Sequence, residues 1–193
     1  MNDHDHDHDE EAPTEAELEA EAEKLVRKEI ALSQIRQYGD AVLRMRAEEV
    51  ESYDAELQKT TARMVDLMHD ADGVGLAATQ IGILRRFFVC TIDGEDRVFV
   101  NPVVTPLGSE TETDSEGCLS LGSVRVQVER LARVRLEARD AAGEAISLEL
   151  EGYPARVVQH EVDHLDGTLM LERTDAESRR EALGALRPRL VLS

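Results

Sequence analysis

The sequence predicts an α+β fold: mostly antiparallel strands packed around a central helix, with an additional helical arm at the N-terminus. Three observations carry this expectation. Apolar residues recur at three- and four-residue steps towards both ends of the chain, while the middle is rich in short β-branched runs. Asp93-Gly94 and Ala142-Gly143 punctuate those runs as turns between neighbouring strands. After Pro154, His160 and His164 stand four residues apart, the spacing of one helical face.

Taken in order, residues 15–34 read as an exposed helix, Glu-rich, with Leu18, Leu25, Ile30 and Leu32 scattered along it. Gly39-Asp40 reads as a turn into an extended Ala41-Val42-Leu43. A helix is expected from Val50 to His69, because Leu57, Thr61, Met64, Val65 and Met68 form one stripe. Gly73 and Gly75 end that helix and open a loop. Strands are expected over 86–92, 97–104, 124–128, 131–138 and 145–150. The alternating run from Glu129 to Arg139 reads as a half-exposed strand. Pro154 introduces the histidine helix, and Asp166-Gly167 ends it with a left-handed cap. A short helix over 176–186 stops before Pro188. The expected organisation is an acidic, disordered tail over 1–23, a helical extension over 24–34, a catalytic domain over 35–175, and a C-terminal helix and tail over 176–193.

At 193 residues the chain is long enough for one domain with a real core. Aromatics make up only 3% and Trp is absent, so that core must be aliphatic. The net charge of −19 is uneven: residues 1–23 hold 11 acidic and no basic side chains, and the remainder carries 30 acidic against 22 basic. The body is therefore moderately acidic and offers no Lys/Arg cluster for nucleic acid. His4, His6 and His8 alternate with aspartates in the tail, which reads as a solvated arm able to chelate stray metal. No apolar run reaches membrane-span length and the acidic start is wrong for a signal peptide, so a cytoplasmic protein without a membrane partner is expected.

Gln159-His-Glu-Val-Asp-His164 is the most informative stretch. Two imidazoles on one helical face grip a divalent metal, and Glu161 beside them handles a proton on water. A catalytic metal takes three protein ligands, so a third donor is needed. His69 is one candidate and Cys118, within Glu116-Gly-Cys-Leu-Ser120, is the better one. Cys90 lies in an apolar run and reads as a buried core thiol. The third segment, Gly73-Val-Gly-Leu-Ala-Ala-Thr-Gln80, has small residues that admit a second backbone, and Gln80 is a neutral donor for an oxyanion.

Together these three segments resemble peptide deformylase, the hydrolase that removes the formyl group from the formyl-methionine of new bacterial or organellar proteins. The resemblance runs from about Ser33 to Arg173 and includes Tyr38-Gly39-Asp40 and Asn101-Pro102; residues 1–32 are an addition to it. It implies that Cys118, His160 and His164 hold the metal, with Fe²⁺ the expected native ion and Zn²⁺, Ni²⁺ or Co²⁺ as alternatives. It makes Glu161 the general base, and Gln80 (side chain) and Leu119 (backbone N–H) the oxyanion donors. Val74, Gly75 and Gly117 would hold the peptide in an extended pose through backbone groups. The implied partners are N-formylmethionyl nascent chains and, transiently, the ribosome. Asp163, Gln159 and Glu116 read as supporting residues. The family usually has proline after Ser-Leu, where this chain has Gly122, a change that loosens a loop bordering the cleft. Two rivals are a His-Glu-x-x-His metalloprotease, which needs a different third ligand, and a metal-binding relative without turnover.

Overall fold

In the computed structural model, residues 14–186 are described; the His/Asp repeats of the tail and the stop expected at Pro188 lie outside them. Helix α1 (Glu15–Gln34) covers the helix expected there, and a capping box starts it, with Thr14 and Glu17 exchanging hydrogen bonds. Its buried apolar contact with the body centres on Ala31 and the following Ile35, which pack against α2 (Ala55–Asp70). Leu18, Leu25, Val26 and Ile30 face outwards.

Helix α2 begins five residues later than its apolar pattern implied. Asp54 caps it, accepting from the N–H groups of Glu56 and Leu57. Val50 is held outside the helix by both its N–H and its C=O, bonded to the Asn101 side chain at 2.8 and 2.9 Å. The extended Ala41–Leu43 also proves otherwise: Ala41–Arg44 is a 3₁₀ turn, because the Asp40 carboxylate accepts from the Val42 N–H.

Five antiparallel strands form the main sheet: β1 (Gly75–Ala77), β2 (Phe87–Ile92), β3 (Glu95–Pro106), β6 (Arg133–Arg139) and β7 (Ala145–Glu151), in the order β1-β2-β3-β6-β7. β4 (Thr111–Gly117) and β5 (Arg125–Leu131) make a separate ladder. The turn at Asp93-Gly94 is as expected, with φ of 53° and 80°, the left-handed pair of a tight hairpin. Two strands carry no sequence signal. β1 is three residues of a glycine-rich segment, and β4 is Thr-Glu-Thr-Asp-Ser-Glu-Gly with no apolar alternation. Pairing with β2 and β5 creates them.

Helix α3 (Tyr153–Leu165) packs against β1, β2, β3, β5, β6 and β7 and is the centre of the molecule. Ala155, Val158 and Leu165 on α3 are fully buried with Phe88, Phe99 and Leu136, and the two phenyl rings lie 5.2 Å apart. Burying a side chain the size of Val158 or Leu165 stabilises by about 1.5–3 kcal/mol, so the apolar face of the histidine helix is a main anchor of it. Helix α4 (Ala176–Leu186) closes a third cluster through Ala182, which packs with Leu121, Val126 and Met170 around Cys118. Among the described residues, no helix is long and apolar enough to cross a membrane.

Candidate metal centre and active site

Two elements that are distant in sequence bring three candidate ligand atoms to one point. Cys118 leaves the end of β4, while His160 and His164 project from one face of α3. Cys118 Sγ lies 3.2 Å from His164 Nε2, which lies 3.2 Å from His160 Nε2. One ligand atom from each of the three falls within 4.8 Å of the others, close enough to share one ion.

The chemistry of these atoms fits a metal. Burial works to raise the Glu116 pKa, but hydrogen bonds from His160 and Arg130 outweigh it and hold the carboxyl well below its usual range. Glu116 is then a pure acceptor, so the proton of His160 sits on Nδ1, 2.9 Å from Glu116 Oε2. With Nδ1 on Glu116, Nε2 is the nitrogen that faces His164, and it is the atom this ring would offer to an ion. Burial and the neighbouring His160 hold His164 well below its ordinary range, as an uncharged ring. Burial also works to lower His160, yet Cys118 and Glu116 raise it, because negative neighbours call for positive charge at this point. A divalent ion satisfies that demand.

Glu116 is fixed in turn. Arg130 grips it with two hydrogen bonds of 2.9 and 3.0 Å, and Arg156 adds a third of 2.8 Å. Arg130 reaches on to Asp163, which Arg173 also holds. All of these except Arg173 are buried. The half-exposed strand read from the 129–139 alternation thus misses the role of Arg130, whose guanidinium points inwards because two buried carboxylates meet it there. Arg156 is likewise buried on Glu116, and no spacing in the sequence marks it. Gln159 bonds both the N–H and the C=O of Leu131 and pins α3 to β5.

Glu161 is buried beside this cluster, and burial pushes its carboxyl up to about 7. Its Oε2 has no hydrogen-bond partner among the described residues. Gln80 accepts from the Ala77 N–H through Oε1 at 2.8 Å, which turns its amide nitrogen to Ser120 Oγ (3.1 Å) and Cys118 Sγ (3.7 Å). The segment after α1 staples these parts together: Arg36 N–H bonds the Gln80 carbonyl, and Gln37 and Tyr38 bond the carbonyls of Leu119 and Ser120. No sequence pattern marks that strap.

A cleft of about 920 Å³ opens over these groups, lined by Gly75, Gln80, Cys118, Leu119, His160 and Glu161 among others. Val157 lines the cleft as well, whereas Leu76 and Val158 are sealed in the core. Val74 and Gly117 also line it. His69 is not a ligand: it is exposed and pairs with Asp96 at 2.8 Å. Cys90 is fully buried, and burial, with the Glu161 charge, raises its pKa far above the usual thiol range.

A family model described as polypeptide deformylase matches residues 32–180. The chain belongs to the polypeptide deformylase family. It is 44% identical over 146 residues to the peptide deformylase of Thermotoga maritima, covering 76% of this chain and 89% of that one. It is 45% identical over 162 residues to peptide deformylase 1 of Corynebacterium efficiens, covering 82% and 96%. The crystal structure of the Thermotoga maritima deformylase superposes with a TM-score of 0.72 at 45% identity, covering 73% of this chain and 96% of that one. That of the Thermus thermophilus deformylase gives 0.74 at 44% identity, covering 79% and 91%. Deformylases hydrolyse the formyl amide of formyl-methionine on new polypeptides and depend on a metal, and this chain is a hydrolase of that class. Its Gly122, where the deformylase pattern has proline, sits at φ 59° and ψ −130° on the rim of the cleft. Proline, fixed near −65°, cannot adopt that backbone.

Proposed function

We propose that Cys118, His160 and His164 hold one divalent ion, natively Fe²⁺ with Zn²⁺, Ni²⁺ or Co²⁺ able to replace it, and that Glu161 is the general base of deformylation. The convergence of three ligand atoms beside a buried carboxylate carries this reading. The mixed thiolate and imidazole donor set accommodates each of those metals. When bound, such an ion supplies Lewis acidity, making water a nucleophile near neutral pH and drawing charge from the formyl oxygen.

The chain's own residues do the rest. Glu161 takes a proton from the attacking water through the oxygen that lacks a protein partner, and returns it to the departing amine nitrogen. Burial disfavours the charged form of this carboxyl, which favours its taking up the proton. Gln80, its amide oxygen fixed on Ala77, donates from its nitrogen to the oxyanion. Leu119 opens the 3₁₀ turn after Cys118, where the first N–H groups have no partner within the turn, and donates beside it. The products are formate and a free methionine amine.

The substrate backbone adds to the open edge of β1. The Thr91 N–H already takes the Val74 carbonyl, and ladder groups alternate in direction, so the backbone of Gly75 faces the cleft. Val74 contributes its exposed side chain to the same wall, and Gly117 at the end of β4 forms the opposite one. We place the reaction in the cytoplasm, on nascent chains close to the ribosome, where formyl-methionine is first exposed.

The test is release of formate from formyl-Met-Ala-Ser under anaerobic conditions, across Fe²⁺, Zn²⁺, Ni²⁺ and Co²⁺ loadings. Formate is expected in stoichiometric yield over many turnovers. Its absence at every loading would favour a metal-binding protein without turnover.

A further inference from the structure

Two cleft residues come from outside the catalytic machinery, on the helix that precedes most of the family match. Lys28 and Leu32 of α1 line the same cleft as Glu161 and Cys118. Leu32 is the first residue of the family match, and Lys28 precedes it. Lys28 is held in place: its Nζ lies 2.9 Å from Asp72 Oδ2, while Lys24 Nζ lies 3.4 Å from Oδ1 of the same carboxylate. Asp72 itself sits in the left-handed region at φ 56° and is followed by Gly73, Val74 and Gly75, the entry to the substrate-binding edge. The pairing therefore ties α1 to the loop that forms the cleft wall.

Of these three charged groups Lys28 and Asp72 line the cleft and balance each other there, so the unbalanced positive charge of the rim comes from elsewhere. Arg125 lines the cleft as well. Its Nε and Nη2 bond Ser115 at 3.1 and 3.0 Å, and no carboxylate of the described residues pairs with it. Its Nη1 lies over Gly117, 3.1 Å from where a Cβ on that residue would be. The two carboxylates of the cleft interior do not cancel these charges. Glu116 is spent on Arg130, Arg156 and His160, and Glu161 is buried at the floor. In a chain of net charge −19, the cleft thus has a cationic rim.

We infer that α1, through Lys28 and together with Arg125, selects formyl-methionyl chains with acidic side chains at the two positions after methionine. The inference rests on the deformylase reading for the direction in which the peptide runs. An extended strand advances about 3.3 Å per residue, so those side chains leave the floor and pass the rim on alternate sides.

The experiment compares formyl-Met-Glu-Glu-amide with formyl-Met-Lys-Lys-amide on the full chain, with formyl-Met-Ala-Ser as reference. Binding of the products Met-Glu-Glu-amide and Met-Lys-Lys-amide is measured alongside by calorimetry. The acidic pair is expected to win by about five-fold in kcat/KM and in Kd at low salt, the range of exposed ion pairs made in one case and opposed in the other. The preference should fade in concentrated salt. Lys28→Met, which keeps the stem, should lower the ratio, and Lys28→Glu should lower it further, with circular dichroism confirming an intact helix. Equal handling of both peptides by the wild type, or a ratio unmoved by Lys28→Glu, would overturn the inference. If no peptide releases formate but the product preference persists, the deformylation reading fails and the rim assignment stands.

Discussion

The carboxylate of Glu161 occupies the space where a side chain on residue 75 would begin. A Cβ on Gly75 would contact Oε1 and lie 2.8 Å from Cδ and 3.0 Å from Cγ of Glu161. The glycine of the first motif is therefore required by the Glu161 carboxylate of the third, and not by a turn. Gly75→Ala should push the carboxylate off its position. A drop of about 10²-fold in kcat is expected, the usual cost of a displacement near 1 Å at a reacting group, with metal content unchanged. Turnover close to wild type would show that the carboxylate position is not critical.

Removing the base outright separates binding from chemistry. Glu161→Ala should retain one metal per chain by elemental analysis while losing about 10²–10⁴-fold in kcat, the range for a positioned general base. Because a buried carboxyl disappears with no partner left behind, thermal stability should hold or rise slightly. A nearly wild-type rate would refute the role.

The two thiols should behave oppositely. Cys118→Ser should strip the metal after gel filtration, since a hydroxyl is a poor replacement for thiolate. In the wild-type chain freed of metal, a thiol reagent should modify Cys118 alone. Cys90 has no exposed surface and a pKa raised by burial, so it stays a protonated thiol at neutral pH and should react only on unfolding. Two fast-reacting thiols in the native protein would contradict that assignment.

Glu116 joins two arginines and the His160 imidazole of the proposed metal site. Glu116→Gln should free the His160 ring and weaken metal affinity about 10–100-fold. It also leaves Arg130 and Arg156 short of a buried counter-charge, which costs about 3–5 kcal/mol of stability. Denaturant unfolding of the metal-free variant reads the second effect apart from the first. A metal-free stability equal to wild type would remove Glu116 from the ion cluster.

Much of the fold and of the site is legible along the chain because the relevant physics is local. His160 and His164 meet since α-helical geometry brings residues four apart onto one face. Asp93-Gly94 closes its hairpin because both residues accept positive φ. Where a side chain competes with the backbone the reading slips, as at Asp40, whose carboxylate turns an apparent strand into a 3₁₀ turn, and at Asn101, which keeps Val50 out of α2.

By itself the sequence determined the α+β class, the helix that presents two histidines, the carboxylate between them and, through the resemblance of three motifs, the candidate donor set. Only the tertiary structure decided that Cys118 Sγ comes within 3.2 Å of His164, that β1 and β4 are strands, and that Arg130 and Arg156 turn inwards to Glu116. It also decided that Lys28 of an added helix stands on the cleft rim. Each of these is a contact between segments far apart in the chain. Such contacts are set by which surfaces bury one another and which backbone groups pair, and neither leaves a period in the sequence.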